Sequence, residues 1–191
     1  MKKRYMLLIA ILTAAVCVAG YHNSYPIELN MVTLPNYISE FHNRGRNAGD
    51  KDTIMLYGSG VTIGNKEYYL LDVGEEFGYV ALERSLTGRY KISHIGYGSG
   101  SFRKGILEND ERKYLLFAGR DPADEIRHIS VEIQGFTYEM DVQRETSPFL
   151  FCIEIDDSIT GLDLSLENIV FYDEEGNDIT EMYDLSGGSF Q

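Results

Sequence analysis

The chain has 191 residues, 30 acidic against 17 basic, for a formal net charge of −13. Lys2, Lys3 and Arg4 stand at its start, so the remainder carries 14 basic against 30 acidic residues, a net of −16. A surface that acidic repels phosphate backbones and anionic lipid and excludes nucleic acid as a partner, while ordinary apolar and charged fractions exclude wholesale disorder.

The basic cluster Lys2-Lys3-Arg4 is followed by an uncharged run from Tyr5 to Gly20. A cationic start and an apolar stretch of this length form the pattern of a signal peptide or membrane anchor over residues 1–20. The run is somewhat shorter than the roughly 20 apolar residues of a comfortable membrane-spanning helix. Val18 and Gly20 permit cleavage after Gly20. Without cleavage the basic residues hold the start of the chain inside and the rest faces out. Cys17 lies between Val16 and Val18, which does not fit the small residue that precedes a lipidated cysteine. The chain is therefore expected outside the cytoplasm, secreted or membrane-anchored, with the membrane as a partner through this segment.

Residues 21–52 differ in texture, with Pro26, Pro35 and the polar run Asn43-Arg44-Gly45-Arg46-Asn47-Ala48-Gly49-Asp50. They read as a linker with one short helix around Leu34–His42. Pro35 suits its first turn, and Ile38 with Phe41 makes a small apolar face.

From Thr53 the pattern turns to β. Strands are predicted at Ile54–Tyr57, Glu67–Val73, Phe77–Glu83, Arg89–Tyr97, Lys113–Ala118, Ile126–Gln134, Phe136–Val142, Phe149–Ile155 and Asn168–Tyr172. They are rich in Val, Ile, Tyr and Phe, and the chain's 14 Tyr, 9 Phe and absence of Trp suit pleated surfaces. Ile129-Ser130-Val131-Glu132-Ile133 alternates with period two, placing one face on a core and the other in water. Gly64-Asn65, Gln134-Gly135 and Glu175-Gly176-Asn177 are turn signals. The expected fold is all-β, an antiparallel sandwich-like ectodomain over 53–183, either one unit or two (53–120 and 124–183), with a flexible tail at 184–191.

Tyr57-Gly58-Ser59-Gly60 recurs as Tyr97-Gly98-Ser99-Gly100, and Tyr69-Leu70-Leu71 recurs as Tyr114-Leu115-Leu116. Two copies predict two equivalent hairpin units in one sheet system, with the glycines allowing a bulge or bend.

Chemical signatures are sparse, and no catalytic residue is assigned. Gly58, Gly60 and Gly64 lack the spacing, the lysine and the following helix of a phosphate loop. No serine sits in a nucleophile elbow. The histidines on offer as bases are His22 and His42 in the linker and His94 and His128 in strands, and a hydrolase would use His94 or His128 with nearby carboxylates. Cys152, among Phe149, Leu150, Phe151 and Ile153, reads as a buried and unreactive thiol. No Cys/His spacing suggests zinc. The one metal candidate is calcium: Asp156, Ser158, Thr160 and Glu167 occupy positions 1, 3, 5 and 12 of a calcium-loop spacing with Gly161 at 6. Neutral hydroxyls at two of these positions, Asp163 where an apolar residue belongs, and flanking strands in place of helices all argue for a plain acidic loop.

Phe77-Gly78-Tyr79-Val80-Ala81-Leu82-Glu83-Arg84 with Thr87-Gly88-Arg89-Tyr90-Lys91-Ile92, and Ile169-Val170-Phe171-Tyr172-Asp173-Glu174-Glu175-Gly176-Asn177-Asp178-Ile179-Thr180, resemble uncharacterised exported proteins of Gram-positive bacteria, small β proteins behind a signal or anchor. The resemblance covers about 53–183 and implies export and a β fold, with no activity attached. The expectation is a non-enzymatic binding module of the cell envelope, with an envelope protein or cell-wall partner. An envelope hydrolase and a calcium-stabilised structural domain are the alternatives.

Overall fold

A computed structural model describes residues 2–110, 112–144, 146–160, 169–185, 188 and 190. The protein is mostly β, with two α-helices. Helix α1 (Lys2–Asn23) covers the N-terminal segment, and its described side chains are exposed along its length. Among the described residues, no helix is long and apolar enough to cross a membrane.

Helix α2 (Leu34–His42) lies where Pro35 and the apolar spacing place it. Its buried residues are Leu34 and Ile38. Phe41, expected beside Ile38, is instead exposed, with the Arg44 guanidinium 5.4 Å above its ring. Leu34, Ile38 and Phe41 fall on one stripe of a 3.6-residue helix, so Phe41 is exposed at the last turn of α2 although it shares the buried pair's face.

Among the described residues ten strands follow: β1 (Ile54–Ile63), β2 (Lys66–Val73), β3 (Glu76–Arg84), β4 (Tyr90–Gly98), β5 (Phe102–Asn109), β6 (Arg112–Gly119), β7 (His128–Ile133), β8 (Phe136–Asp141), β9 (Phe149–Ile155) and β10 (Ile169–Tyr172). They form three antiparallel sheets, in the orders β1-β2-β3-β4, β5-β6-β9 and β10-β7-β8.

The layers follow from side-chain alternation. In β2, Tyr69, Leu71 and Val73 pack with Leu34 and Ile38 of α2, whereas Tyr68 and Leu70 pack with Leu116 and Ala118 of β6. In β6, Leu115 and Phe117 face the other way and pack with Ile129, Val131 and Phe171 of the third sheet. The order is thus α2, first sheet, second sheet, third sheet. A strand buried on both faces has no polar side to alternate with, which is why Tyr68–Val73 and Leu115–Ala118 are near-continuous apolar runs. Strand β7 touches core on one face only: Ile129, Val131 and Ile133 are buried while His128, Ser130 and Glu132 turn outward.

Strand β5 was not predicted. Its Phe102-Arg103-Lys104-Gly105 start lacks a periodic apolar signal, because Arg103 and Lys104 are both buried. The Arg103 guanidinium donates to the carbonyls of Phe77, Gly98 and Phe102, so backbone acceptors replace the solvent it loses. Strand β1 runs past the expected Tyr57 with a register irregularity between Leu56 and Gly60. A side chain at Gly60 would begin 2.5 Å from the Tyr69 ring, so the bend needs glycine there. The recurring Tyr-Gly-Ser-Gly thus lies inside β1 in its first copy, while the second ends β4 and enters the bend at Gly100 (φ +93°). The hairpins after the two copies belong to different sheets, β1–β2 to the first and β5–β6 to the second.

Of the stretch expected to be a flexible tail, residues 186, 187, 189 and 191 lie outside the described residues. Phe190 is buried against Tyr68 and Tyr79, with its N–H bonded to the Lys104 carbonyl at 2.8 Å. Cys17 and Cys152 are both free thiols.

Candidate functional site

A cluster of titratable side chains lies on the outer face of the third sheet. Gln134-Gly135 closes β7 onto β8, with both residues at positive φ (50° and 88°), the conformation of a two-residue hairpin turn. That turn fixes the register His128↔Asp141 and Ser130↔Glu139. His128 therefore has one carboxylate directly opposite and another diagonally across, both within side-chain reach. Its Nδ1 meets the Asp141 Oδ1 at 2.8 Å, and its Nε2 meets the Glu139 carboxylate. Ser130 Oγ donates to the other Glu139 oxygen at 3.1 Å. The Tyr172 ring of β10 stands 5.9 Å from the imidazole.

A neutral imidazole has one N–H and cannot donate to both carboxylates; the imidazolium has two. The hydrogen bond to Asp141, opposed by partial burial and reinforced by Glu139, holds the His128 pKa above its ordinary value. The two carboxylates sit on opposite edges of the ring, so the three groups do not converge on one point. Among the described residues, no cluster of His, Cys, Asp or Glu could hold a metal ion.

These groups line an open groove of about 520 Å³ with Arg127, Tyr172 and Glu174. Asp141 also borders a second cleft of about 490 Å³, lined among others by Tyr57, Gln143, Ser147, Pro148 and Phe151. The Tyr57 hydroxyl donates to Asp72 at 2.7 Å, and Asp72 is paired with Arg120. One wall of that cleft is thereby fixed by a partly buried ion pair.

The calcium candidates are only partly brought together. Asp156 Oδ1 accepts from the Ser158 N–H at 2.9 Å and from the Ser158 hydroxyl, closing an Asx turn. These hydrogen bonds hold the Asp156 carboxyl below its usual pKa. Thr160 instead exchanges backbone hydrogen bonds with the Gln134 amide. Lys113 Nζ donates to the carbonyls of Asp157, at 2.7 Å, and Ile159. An ammonium thus takes two of the loop's backbone oxygens. Glu167 and Gly161 lie outside the described residues.

The other histidines stand apart from this face. His94, half-buried on β4, packs 5.8 Å from the Tyr79 ring. His42 Nε2 meets Asp52 Oδ2 at 2.8 Å beside Arg46, with its ring edge-on to Tyr97. That pair ties the end of α2 to the start of the β region. Cys152 is half-buried in β9, and desolvation raises its thiol pKa, as its apolar neighbours imply.

Glu139 and Asp141 are the residues that sequence reasoning did not single out. The signal was present: a two-residue turn at Gln134-Gly135 makes the pairing of His128 with Asp141 a matter of counting back along both strands. The chain matches no known protein family, no curated protein and no solved structure.

Proposed function

We propose that the chain is an extracytoplasmic protein of the cell envelope, membrane-anchored or secreted, that works as a binding module on a sandwich-like β body. The observation that carries this reading is the arrangement around His128. Both of its ring nitrogens are committed to carboxylates, so neither is free to take a proton from a nucleophile, as general-base hydrolysis requires. The same arrangement suits recognition: an imidazole held between carboxylates, in an open groove also lined by Arg127 and Glu174. A partner with interleaved charges, an envelope protein or a cell-wall component, matches that pattern. The N-terminal basic cluster and apolar run support delivery to the envelope, as does the resemblance to exported β proteins. The calcium-stabilised alternative must contend with the Lys113 ammonium already seated on two loop carbonyls.

The test is affinity capture from an envelope fraction with the full-length chain, beside a His128→Gln/Glu139→Gln variant. One partner enriched on the native chain and lost on the variant supports the module and places its contact in the groove. Equal, salt-sensitive recovery of many basic proteins on both chains would sink it.

A further inference from the structure

Large apolar side chains are unevenly exposed. Outside α1, the described residues include ten that are exposed, and six of them lie next to its end: Leu29, Met31, Val32, Tyr37 and Phe41 on the stretch 24–42 that follows it, and Leu86, whose N–H reaches Tyr21. Leu86, at the β3–β4 turn, is 97% exposed, and Val32 is 83% exposed. Chance scatter of single apolar residues is ordinary, but concentration on one rim marks an interaction surface.

Hydrogen bonds hold this rim to the base of α1. The Leu86 N–H donates to the Tyr21 hydroxyl at 3.1 Å. Arg89 donates to the Tyr25 carbonyl at 2.8 Å and the Pro26 carbonyl at 2.6 Å, and pairs with Glu28 at 2.9 Å. Ile27 exchanges backbone hydrogen bonds with Tyr90. Tyr37 and Phe41 share a hollow of about 450 Å³ with Ser24 and Pro26.

Basic side chains gather on this rim, interleaved with Glu28, Glu40 and Glu83. Arg44 and Lys91 line the hollow, Arg84 lines a neighbouring one with Tyr21 and Leu86, and Arg89 lies between them. Four of the 14 basic residues beyond the N-terminal cluster therefore lie here, in a chain whose remainder carries a net of −16. Arg89 pairs with Glu28 and Lys91 with Glu83, which leaves Arg44 and Arg84 without a carboxylate partner among the ion pairs of the described residues. Helix α1, whose last turn adjoins the rim through Tyr21, exposes Tyr5, Met6, Ile9, Ile11, Leu12, Val16 and Val18 to whatever surrounds it.

We infer that this face lies on a phospholipid surface, with Leu86 and Val32 entering the interface and Arg44 and Arg84 meeting headgroup phosphates. Tyr and Phe flanking the contact suit the headgroup level, where one end of the side chain is apolar and the other wet. A protein partner on the rim would leave the apolar flank of α1 uncovered, whereas lipid covers both. The inference rests on the membrane role proposed for α1.

The chain has no Trp, so single tryptophans report cleanly. Full-length Leu86→Trp, Val32→Trp, Ile11→Trp and Phe136→Trp chains would be reconstituted in phosphatidylcholine–phosphatidylglycerol vesicles with brominated acyl chains. Loss of emission is expected at positions 86, 32 and 11, with position 136, at the β7–β8 hairpin, unaffected. Loss at position 11 with none at 86 or 32 would overturn the docked face while leaving the role of α1 standing, and would assign the rim to a protein or a second copy. No loss at position 11 would remove the membrane role and the docked face together.

Discussion

At the scale of single residues, His128 is an imidazole held between two carboxylates that favour its protonated form. Its raised pKa has a definite consequence for stability. A histidine whose folded pKa lies above its unfolded value, about 6.5, contributes its full stabilisation below that value. The contribution is lost as pH rises through the folded pKa. His128→Gln is therefore expected to lower the melting temperature most at acidic pH, with the gap closing as pH rises above about 6.5; parallel melts from pH 5 to 9 would show it, and a pH-independent gap would contradict the imidazolium assignment. Asp121 poses a different kind of constraint. It is buried, accepting the Tyr183 hydroxyl at 2.9 Å on one oxygen and the Ile126 N–H at 2.7 Å on the other. Burial, together with this hydrogen bond, raises the Tyr183 pKa. Asp121→Ala strands two donors in the protein interior and is expected to cost about 1–3 kcal/mol for each donor left unpaired, measurable by chemical denaturation.

At the scale of elements, two segments depend on contacts that their own residues do not advertise. Helix α2 spans nine residues, too short to hold its shape alone. It persists because Leu34 and Ile38 are buried against β2 and β3. Ile38→Ala is expected to destabilise the protein by about 2–5 kcal/mol, as for other buried large-to-small changes. The Asp156–Thr160 loop is held by Lys113 through two backbone carbonyls. Lys113→Met keeps the aliphatic stem and removes the donor, with an expected loss of about 0.5–1.5 kcal/mol. The thermal shift of that variant in millimolar calcium tells whether a divalent ion takes the emptied place, while the native chain is expected to show no shift.

The whole molecule is organised around its middle sheet. β6 pairs with β5 on one side and with β9 on the other, so the second sheet draws strands from both halves of the chain. Phe117 on one face and Leu116 on the other belong to different clusters, joining the third sheet to the first. Unfolding is expected as a single transition, with tyrosine fluorescence and far-ultraviolet circular dichroism coinciding. Phe117→Ala, about 3–5 kcal/mol destabilised, is expected to shift both probes together; separated midpoints would mean that the halves unfold independently.

Local chemistry in the sequence was enough for most of the β content, the place of α2 and the turns at Gly64-Asn65 and Gln134-Gly135. These rest on period-two patterning, on a proline in a first helical turn and on residues that accept positive φ, all properties of neighbouring residues. Strand β5 escaped because Arg103 finds acceptors on Phe77 and Gly98, on β3 and β4, which no local pattern records. Phe41 shares the face of Leu34 and Ile38, and its exposure depends on how far the first sheet extends under the last turn of α2. The sharing of Asp141 between groove and cleft was likewise set by how the layers stack. Spacing along a chain specifies which residues can form a strand or a turn, whereas the company a side chain keeps depends on elements far away in sequence. The His128 face needed both, a turn legible in two residues and a layered body that turns it outward.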